Sequence, residues 1–103
     1  MVNSEMGRKP KIGDPRSGGV VGQGRDHWTH AQSILLAGGG IRGGQAYGTS
    51  DKVGAYPADK PVAPEDVAKT VYHAMGLGNP EAIDSQGRPY RILEEGEPLT
   101  ELF

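Results

Sequence analysis

Glycine is so frequent in this sequence that it limits how much regular structure the chain can form. The 103 residues include 17 glycines and 8 prolines. Glycine inside a helix or strand costs about 0.5–1 kcal/mol relative to alanine, and proline lacks the backbone N–H. The hydrophobic fraction is 35%, below the roughly 45–50% of ordinary globular domains. We therefore expect long loops, few regular elements and a small core.

One segment carries consistent helix signals, "APEDVAKTVYHAMGLG" at residues 63–78. Pro64 suits the first helical position, and Glu65 and Asp66 are favourable at the positive end of the helix dipole. Apolar side chains recur at helical spacing on one face, and glycines followed by Pro80 end the segment. The pattern predicts a helix of about 12 residues.

Short apolar runs predict strands on both sides of this helix: "SILLAGGGI" (33–41), "GGQAYGTS" (43–50) and "QGRPYRIL" (86–93), with a weaker signal at Val20 and Val21. Together with the helix they predict an α/β or α+β fold, a small mixed sheet with one main helix packed on it. Leu99, Leu102 and Phe103 are predicted to follow Pro98 in a terminal helical turn. The predicted core comprises Ile34, Leu35, Leu36, Ile41, Val67, Val71, Met75, Leu77, Ile92, Leu93 and Leu102.

The N-terminal quarter differs from the remainder in its scarcity of apolar side chains. Residues 1–24 bury too little apolar surface to offset an ordering entropy of about 1–2 kcal/mol per residue. We predict a flexible N-terminal arm over residues 1–24 and a small α/β domain over residues 25–103.

Composition excludes several function classes. With no cysteine there is no disulfide, thiolate metal site or cysteine nucleophile. The net charge of −2 and the lack of a basic block argue against a nucleic-acid partner. No apolar run approaches the roughly 20 residues of a membrane span, so no membrane partner is expected. The first ten residues lack the apolar region of a secretory signal, which leaves the localisation open.

The residues with the clearest chemical potential lie in "GRDHWTH" (24–30). His27 and His30 are three positions apart, and Asp26 precedes them. Imidazole and carboxylate are good ligands for zinc and similar divalent ions, but a site normally needs three or four of them. The alternative is a pair of solvated, hydrogen-bonded histidines. Trp28 is interpreted as a packing anchor.

The order of several blocks resembles the C-terminal part of a sulfatase-like bacterial family of unknown function in the alkaline-phosphatase superfamily, whose members are commonly exported. The blocks are "SEMGRKPKI" (4–12), "GRDHWTHAQSILLAGGGIRGGQAYGTSD" (24–51), "PVAPEDVAKTVYHAMGL" (61–77) and "QGRPYRILEEGEPLTELF" (86–103). The resemblance implies an α/β sandwich around a mixed sheet and a two-metal site for phosphate or sulfate esters.

By this resemblance, certain residues occupy the positions of metal ligands. Glu5 falls where the family has a ligating aspartate, and His27 where it has a later ligating histidine. Gly7 or its neighbours fall where another ligating histidine belongs, so that ligand is missing. Asp26 and His30 would orient the His27 ring from outside the metal's own shell.

The family members are several times longer, and their nucleophile lies upstream of anything in this chain. The resemblance therefore implies a C-terminal segment of a metal-dependent hydrolase without independent catalysis. A divalent ion such as zinc belongs to the full-length family, and we expect no tight binding here. Two alternatives stay open: a small binding or assembly module that pairs through a sheet edge, and one half of a split hydrolase. The implied partners are the missing upstream part of the fold or a second copy of the chain.

Overall fold

A computed structural model describes residues 1–13 and 24–103 of the chain. The predicted strand at Val20 and Val21 lies outside these residues. Within them the regular elements are short, as the glycine and proline content predicts. They are β1 (Gly7–Arg8), β2 (His27–Trp28), β3 (Thr49–Ser50), β4 (Pro57–Asp59), α1 (Pro64–Ala74), β5 (Glu81–Ile83), β6 (Pro89–Arg91) and a 3₁₀ helix (Thr100–Leu102).

The fold class is α+β, which confirms the predicted mixture of helix and strand. The described strands form three separate two-stranded sheets, each antiparallel: β1 with β2, β3 with β4, and β5 with β6. Two or three residues per strand offer too few hydrogen bonds and too little apolar surface to build one larger sheet. No helix in the described part of the chain is long and apolar enough to cross a membrane.

The chain divides into two compact units, and the first comprises residues 1–36 and 46–61. In it, Gly7 pairs with Trp28 and Arg8 with His27. An isolated antiparallel bridge joins Val2 to Leu35 through two reciprocal backbone hydrogen bonds of 2.8 and 2.9 Å. The first residues of the predicted arm thus lie beside segment 27–35. The mobility of residues 1–24 and a domain boundary at residue 24 stay predictions, which NMR order parameters would test.

The prediction of a buried strand at residues 33–41 is wrong. Within this segment only Leu35 makes a β-bridge, and its side chain is 64% exposed. The apolar run satisfied the pattern of a strand, but Gly38 and Gly39 turn the backbone with positive φ angles of 83° and 60°. Apolar composition without a partner strand on each side does not make a core strand.

The second unit comprises residues 37–45 and 62–103 and contains α1, β5, β6 and the 3₁₀ helix. The predicted helix is confirmed. Its first turn is closed by the Asp66 carboxylate, which accepts a hydrogen bond of 2.9 Å from the backbone N–H of Ala63. It ends where Gly76 adopts a φ of 77°, and the N–H of Leu77 bonds the carbonyl of Tyr72 at 2.8 Å.

The C-terminal segment 96–103 packs against α1. Asp66 accepts a second hydrogen bond, of 2.8 Å, from the N–H of Glu97. The Thr70 hydroxyl donates to the Asp66 carbonyl at 2.6 Å and accepts from the N–H of Leu99 at 2.9 Å. The Phe103 ring lies edge-on to His73, with centroids 4.9 Å apart. The predicted terminal helical turn is present as the 3₁₀ helix, and these contacts hold it on α1.

The core is smaller than predicted. Among the described residues, Thr70 at 1% exposure and Leu102 at 6% are buried. Of the predicted core, Leu102 is buried, while Leu35, Met75, Leu77 and Ile92 are exposed. The remainder, Ile34, Leu36, Ile41, Val67, Val71 and Leu93, are half-buried. Short elements joined by loops cannot enclose many side chains completely, because a chain of this size has a large surface for its volume.

Candidate histidine site

The pairing of β1 with β2 brings two sequence-predicted site residues into one neighbourhood. Glu5 lies between the Val2–Leu35 bridge and β1, and so beside the segment that carries the histidines. The side chains of Glu5, His27 and His30 are exposed to solvent. A carboxylate and an imidazole 22 positions apart in the sequence are thus presented on adjacent backbone segments.

Local hydrogen bonds further favour the ionised form of the Glu5 carboxyl. Hydrogen bonds from its own backbone N–H and from the Ser4 hydroxyl, at 3.1 Å, lower the pKa of the Glu5 carboxyl below its usual 4.5. The nearby charges of His27 and Arg8 lower this pKa further. Glu5 is therefore a carboxylate at neutral pH, with oxygen atoms able to accept a proton donor or a cation.

One carboxylate and one imidazole do not complete a metal site. In residues 1–13 and 24–103, no three His, Asp or Glu side chains are grouped so that they could hold an ion. Asp26 takes part in the ladder through its backbone carbonyl, which accepts a 2.8 Å hydrogen bond from the N–H of Lys9. The predicted roles of Asp26 and His30 in orienting His27 stay predictions.

The His30 ring belongs to a cluster of three aromatic side chains, Trp28, His30 and Tyr56, called here the aromatic cluster. The ring centroids lie 4.7 Å apart for Trp28 and His30, 5.6 Å for Trp28 and Tyr56, and 5.0 Å for His30 and Tyr56. The indole N–H of Trp28 donates a hydrogen bond to the Ala55 carbonyl. The Lys9 ammonium lies 5.9 Å from the centre of the Trp28 ring. Trp28 is therefore the anchor that the sequence suggested.

Two arginines, Arg8 in β1 and Arg25 just before β2, lie near each other. Arg8, which is paired with His27, donates a hydrogen bond of 3.3 Å to the Arg25 carbonyl. Together with Ile12 and Gly24, these two arginines line a shallow, open depression of the surface. Guanidinium groups are good partners for carboxylate, sulfate and phosphate oxygens.

A family model described as a protein of unknown function, DUF1501, matches the chain over residues 1–103. The chain belongs to the DUF1501 family. Comparison with curated proteins and with solved structures finds no match.

In this DUF1501 chain, Asp51 organises the loop that contacts the aromatic cluster. The sequence analysis did not single out Asp51, yet its carboxylate accepts backbone hydrogen bonds from Val53, Ala55 and Tyr56. These hydrogen bonds lower the pKa of the Asp51 carboxyl below its usual 3.8, and the bond from Ala55 has the largest influence. An aspartate followed three positions later by glycine is a turn signal, and it would have identified Asp51 as a loop organiser.

Proposed function

We propose that this DUF1501 chain supplies part of the metal site of a hydrolase that resembles sulfatases and phosphatases. His27 is the metal ligand and Glu5 a second candidate ligand. The remaining ligands and the nucleophile come from segments outside this sequence. On its own the chain has no hydrolase turnover.

The observation that carries this proposal is the proximity of Glu5 and His27. Both side chains are exposed, and Glu5 lies just before β1, the strand whose pairing with β2 places Arg8 opposite His27. The same two residues occupy ligand positions in the resemblance to the sulfatase-like family. The neighbouring Arg8 and Arg25 suit the negative charge of a sulfate or phosphate ester.

The fit to a divalent ion is partial. Structural zinc sites use four ligands and catalytic ones three plus a water, whereas Glu5 and His27 provide two. In a complete site a divalent ion polarises the ester oxygens and activates a nucleophile. In this chain, Glu5 and His27 would hold such an ion loosely and exchange it quickly.

A zinc titration of the chain, followed by NMR through the ring protons of its histidines, tests this proposal. We expect fast-exchange shifts at His27 with weak affinity, and none at His73, whose ring packs on Phe103 in the second unit. His27→Ala should abolish the response, while His73→Ala, the matched control, should leave it unchanged. Aryl sulfates and aryl phosphates with added zinc should not turn over.

Two results would contradict the proposal. An unchanged His27 resonance at saturating zinc would remove its role as a ligand. Tight stoichiometric binding lost in His27→Ala would instead make the chain a self-sufficient metal-binding domain.

A second candidate function is assembly with another copy of the chain through a sheet edge. The hairpin of β5 and β6 carries exposed apolar side chains, with Ile83 at 74% and Tyr90 at 51% exposure. Each strand of a two-stranded sheet has one edge that is free to pair. Gel filtration of the chain and of Ile83→Lys discriminates: a dimer that the substitution dissociates supports assembly, and a monomer at all concentrations argues against it.

A further inference from the structure

We infer that Asp51 is the positioning residue of the histidine site, because its carboxylate shapes the loop 51–56 that holds the aromatic cluster beside His27. The part of the inference that concerns the placement of the rings is argued from contacts within the first unit. The consequence for metal binding rests on the proposed function.

The first step is the closure of the loop. One carboxylate oxygen of Asp51 accepts hydrogen bonds from the N–H groups of Val53 at 3.2 Å and Ala55 at 2.8 Å. The other accepts from the N–H of Tyr56 at 3.2 Å. The backbone N–H of Asp51 donates to the Tyr56 carbonyl at 2.8 Å, and Gly54 turns the chain with a φ of 72°. One side chain thus satisfies three backbone donors of the same turn.

The second step leads from the loop to the rings. Ala55 and Tyr56, two of the residues whose N–H groups bond Asp51, make the contacts with Trp28. The Ala55 carbonyl accepts the indole N–H, and the Tyr56 ring lies edge-on to the indole. Tyr56 also lies beside His30. Without the carboxylate, three N–H groups lose their acceptor, and the loop that presents both contacts loses its shape.

The third step leads from the rings to the histidine. Trp28 follows His27 in β2 and is paired with Gly7. A Cβ atom at Gly7 would overlap the carbonyl oxygen of Ala31, so the backbones are packed as closely as glycine allows. The indole is therefore fixed both by its strand and by the Asp51 loop. This anchoring fixes β2, and with it the position of His27 relative to Glu5.

The second unit offers a matched control, because Asp84 accepts backbone hydrogen bonds in a turn of that unit in the same way. Its carboxylate accepts hydrogen bonds from the N–H groups of Gln86 at 2.8 Å and Arg88 at 2.9 Å. The Arg88 side chain bonds the other oxygen at 2.8 Å. Asp84 thus shapes the turn of the β5–β6 hairpin, and its loss should disturb that hairpin alone.

The experiment compares Asp51→Ala, Asp51→Asn, Tyr56→Leu and Asp84→Ala in the full chain, with the histidine ring protons followed by NMR. In the wild type, we expect the ring currents of Trp28 and Tyr56 to displace the His30 signals from those of a solvated histidine. We expect Asp51→Ala and Tyr56→Leu to return them toward the solvated position. Asp51→Asn keeps one acceptor oxygen and should cause a smaller change in the same direction. Asp84→Ala should leave His30 unchanged.

Zinc titration of the same variants gives the second readout. Loss of a residue that orients a ligand typically weakens metal affinity about 10-fold or more, and we expect this for Asp51→Ala relative to Asp84→Ala. His30 signals that do not move in Asp51→Asn and Tyr56→Leu would overturn the inference even if Asp51→Ala fails to fold. If His30 moves as expected but wild-type His27 does not respond to zinc, the positioning role stands and the proposed function fails.

Discussion

Each of the two compact units of this chain is stabilised by a different kind of internal contact. In the second unit a helix and the C-terminal segment enclose Thr70 and Leu102, the two buried residues of the described chain. In the first unit no described side chain is buried, and its strands are held by backbone pairs, an aspartate-closed loop and the half-buried Trp28. The second unit thus has the larger core, whereas the first unit is more open and exposes the side chains of His27 and Glu5.

The largest expected loss of stability follows from replacing a glycine by alanine where two backbone segments approach most closely, once in each unit. In the first unit, Gly7→Ala would drive a Cβ atom into the Ala31 carbonyl oxygen and should destabilise the β1–β2 pairing by about 3 kcal/mol or more. Hydrogen exchange should show lost protection at the N–H of Lys9, which bonds Asp26. Retained protection there would mean that the ladder does not hold this unit together.

The counterpart in the second unit is Gly96→Ala. The added Cβ atom would lie 2.7 Å from the backbone carbon of Glu65, and a φ of 85° strains any residue other than glycine. The expected cost is again about 3 kcal/mol, read from the thermal transition and from exchange at Leu99. Gly43→Ala and Gly78→Ala are the controls, since neither has a neighbouring atom within 4 Å or a left-handed φ. Equal destabilisation by all four substitutions would contradict the close-approach explanation.

A smaller effect is expected from the one buried hydroxyl of the second unit. Thr70→Val keeps the shape of the side chain but removes both hydrogen bonds, so the N–H of Leu99 loses its acceptor. An unsatisfied buried donor costs about 1–3 kcal/mol, and we expect about 1 kcal/mol here because Leu99 is half-buried. Thr70→Ser keeps the hydroxyl and should lose less stability in a denaturant titration. If the valine variant is as stable as the serine variant, the segment 96–103 is held by Leu102 and Phe103 instead.

The contrast between local signals and long-range pairing explains which features the sequence could predict. The helix was predictable because its signals are local: Pro64, Glu65 and Asp66 at the start and Gly76 at the end. The turn at Gly87 in the β5–β6 hairpin was predictable for the same reason. The pairing of β1 with β2 was not, because it joins residues about twenty positions apart through two-residue strands that have no periodicity to detect.

The residues of the candidate site also fall into two groups: those with a local signal in the sequence and those that only the fold brings close. The closeness of Asp26, His27 and His30 along the chain is visible in the sequence. The position of Glu5 beside the histidine segment depends on the β1–β2 pairing, and before the structure only the family resemblance suggested it. Tyr56 could not be assigned to the aromatic cluster, because nothing local shows that the Asp51 loop returns to Trp28. The apolar run at residues 33–41 misled the core prediction because composition alone does not provide a partner strand.

The smallest expected effect is on stability in acid. It concerns Asp51 and Asp84, the two aspartates that close loops, one in each unit. Backbone N–H groups, led by Ala55 for Asp51 and Arg88 for Asp84, lower the pKa of both carboxyls below 3.8. A carboxyl whose pKa is lower in the folded state than in the unfolded state stabilises the fold above its unfolded pKa. That contribution is lost as the pH falls through the lowered folded pKa.

Thermal unfolding between about pH 6 and about pH 2 should therefore show each unit losing stability toward acid. Asp51→Asn should flatten this dependence when unfolding is followed by the fluorescence of Trp28, the one tryptophan of the chain and a member of the first unit. Asp84→Asn should leave the Trp28 signal unchanged and flatten only the response of the β5–β6 hairpin, followed by the methyl resonances of Ile83. Both aspartates are half-buried, with the Asp84 side chain 27% exposed, so partial screening by solvent keeps each effect small. An acid dependence of Trp28 fluorescence that Asp51→Asn leaves intact would mean that another carboxylate, with Glu5 the first candidate, controls the acid response of the first unit.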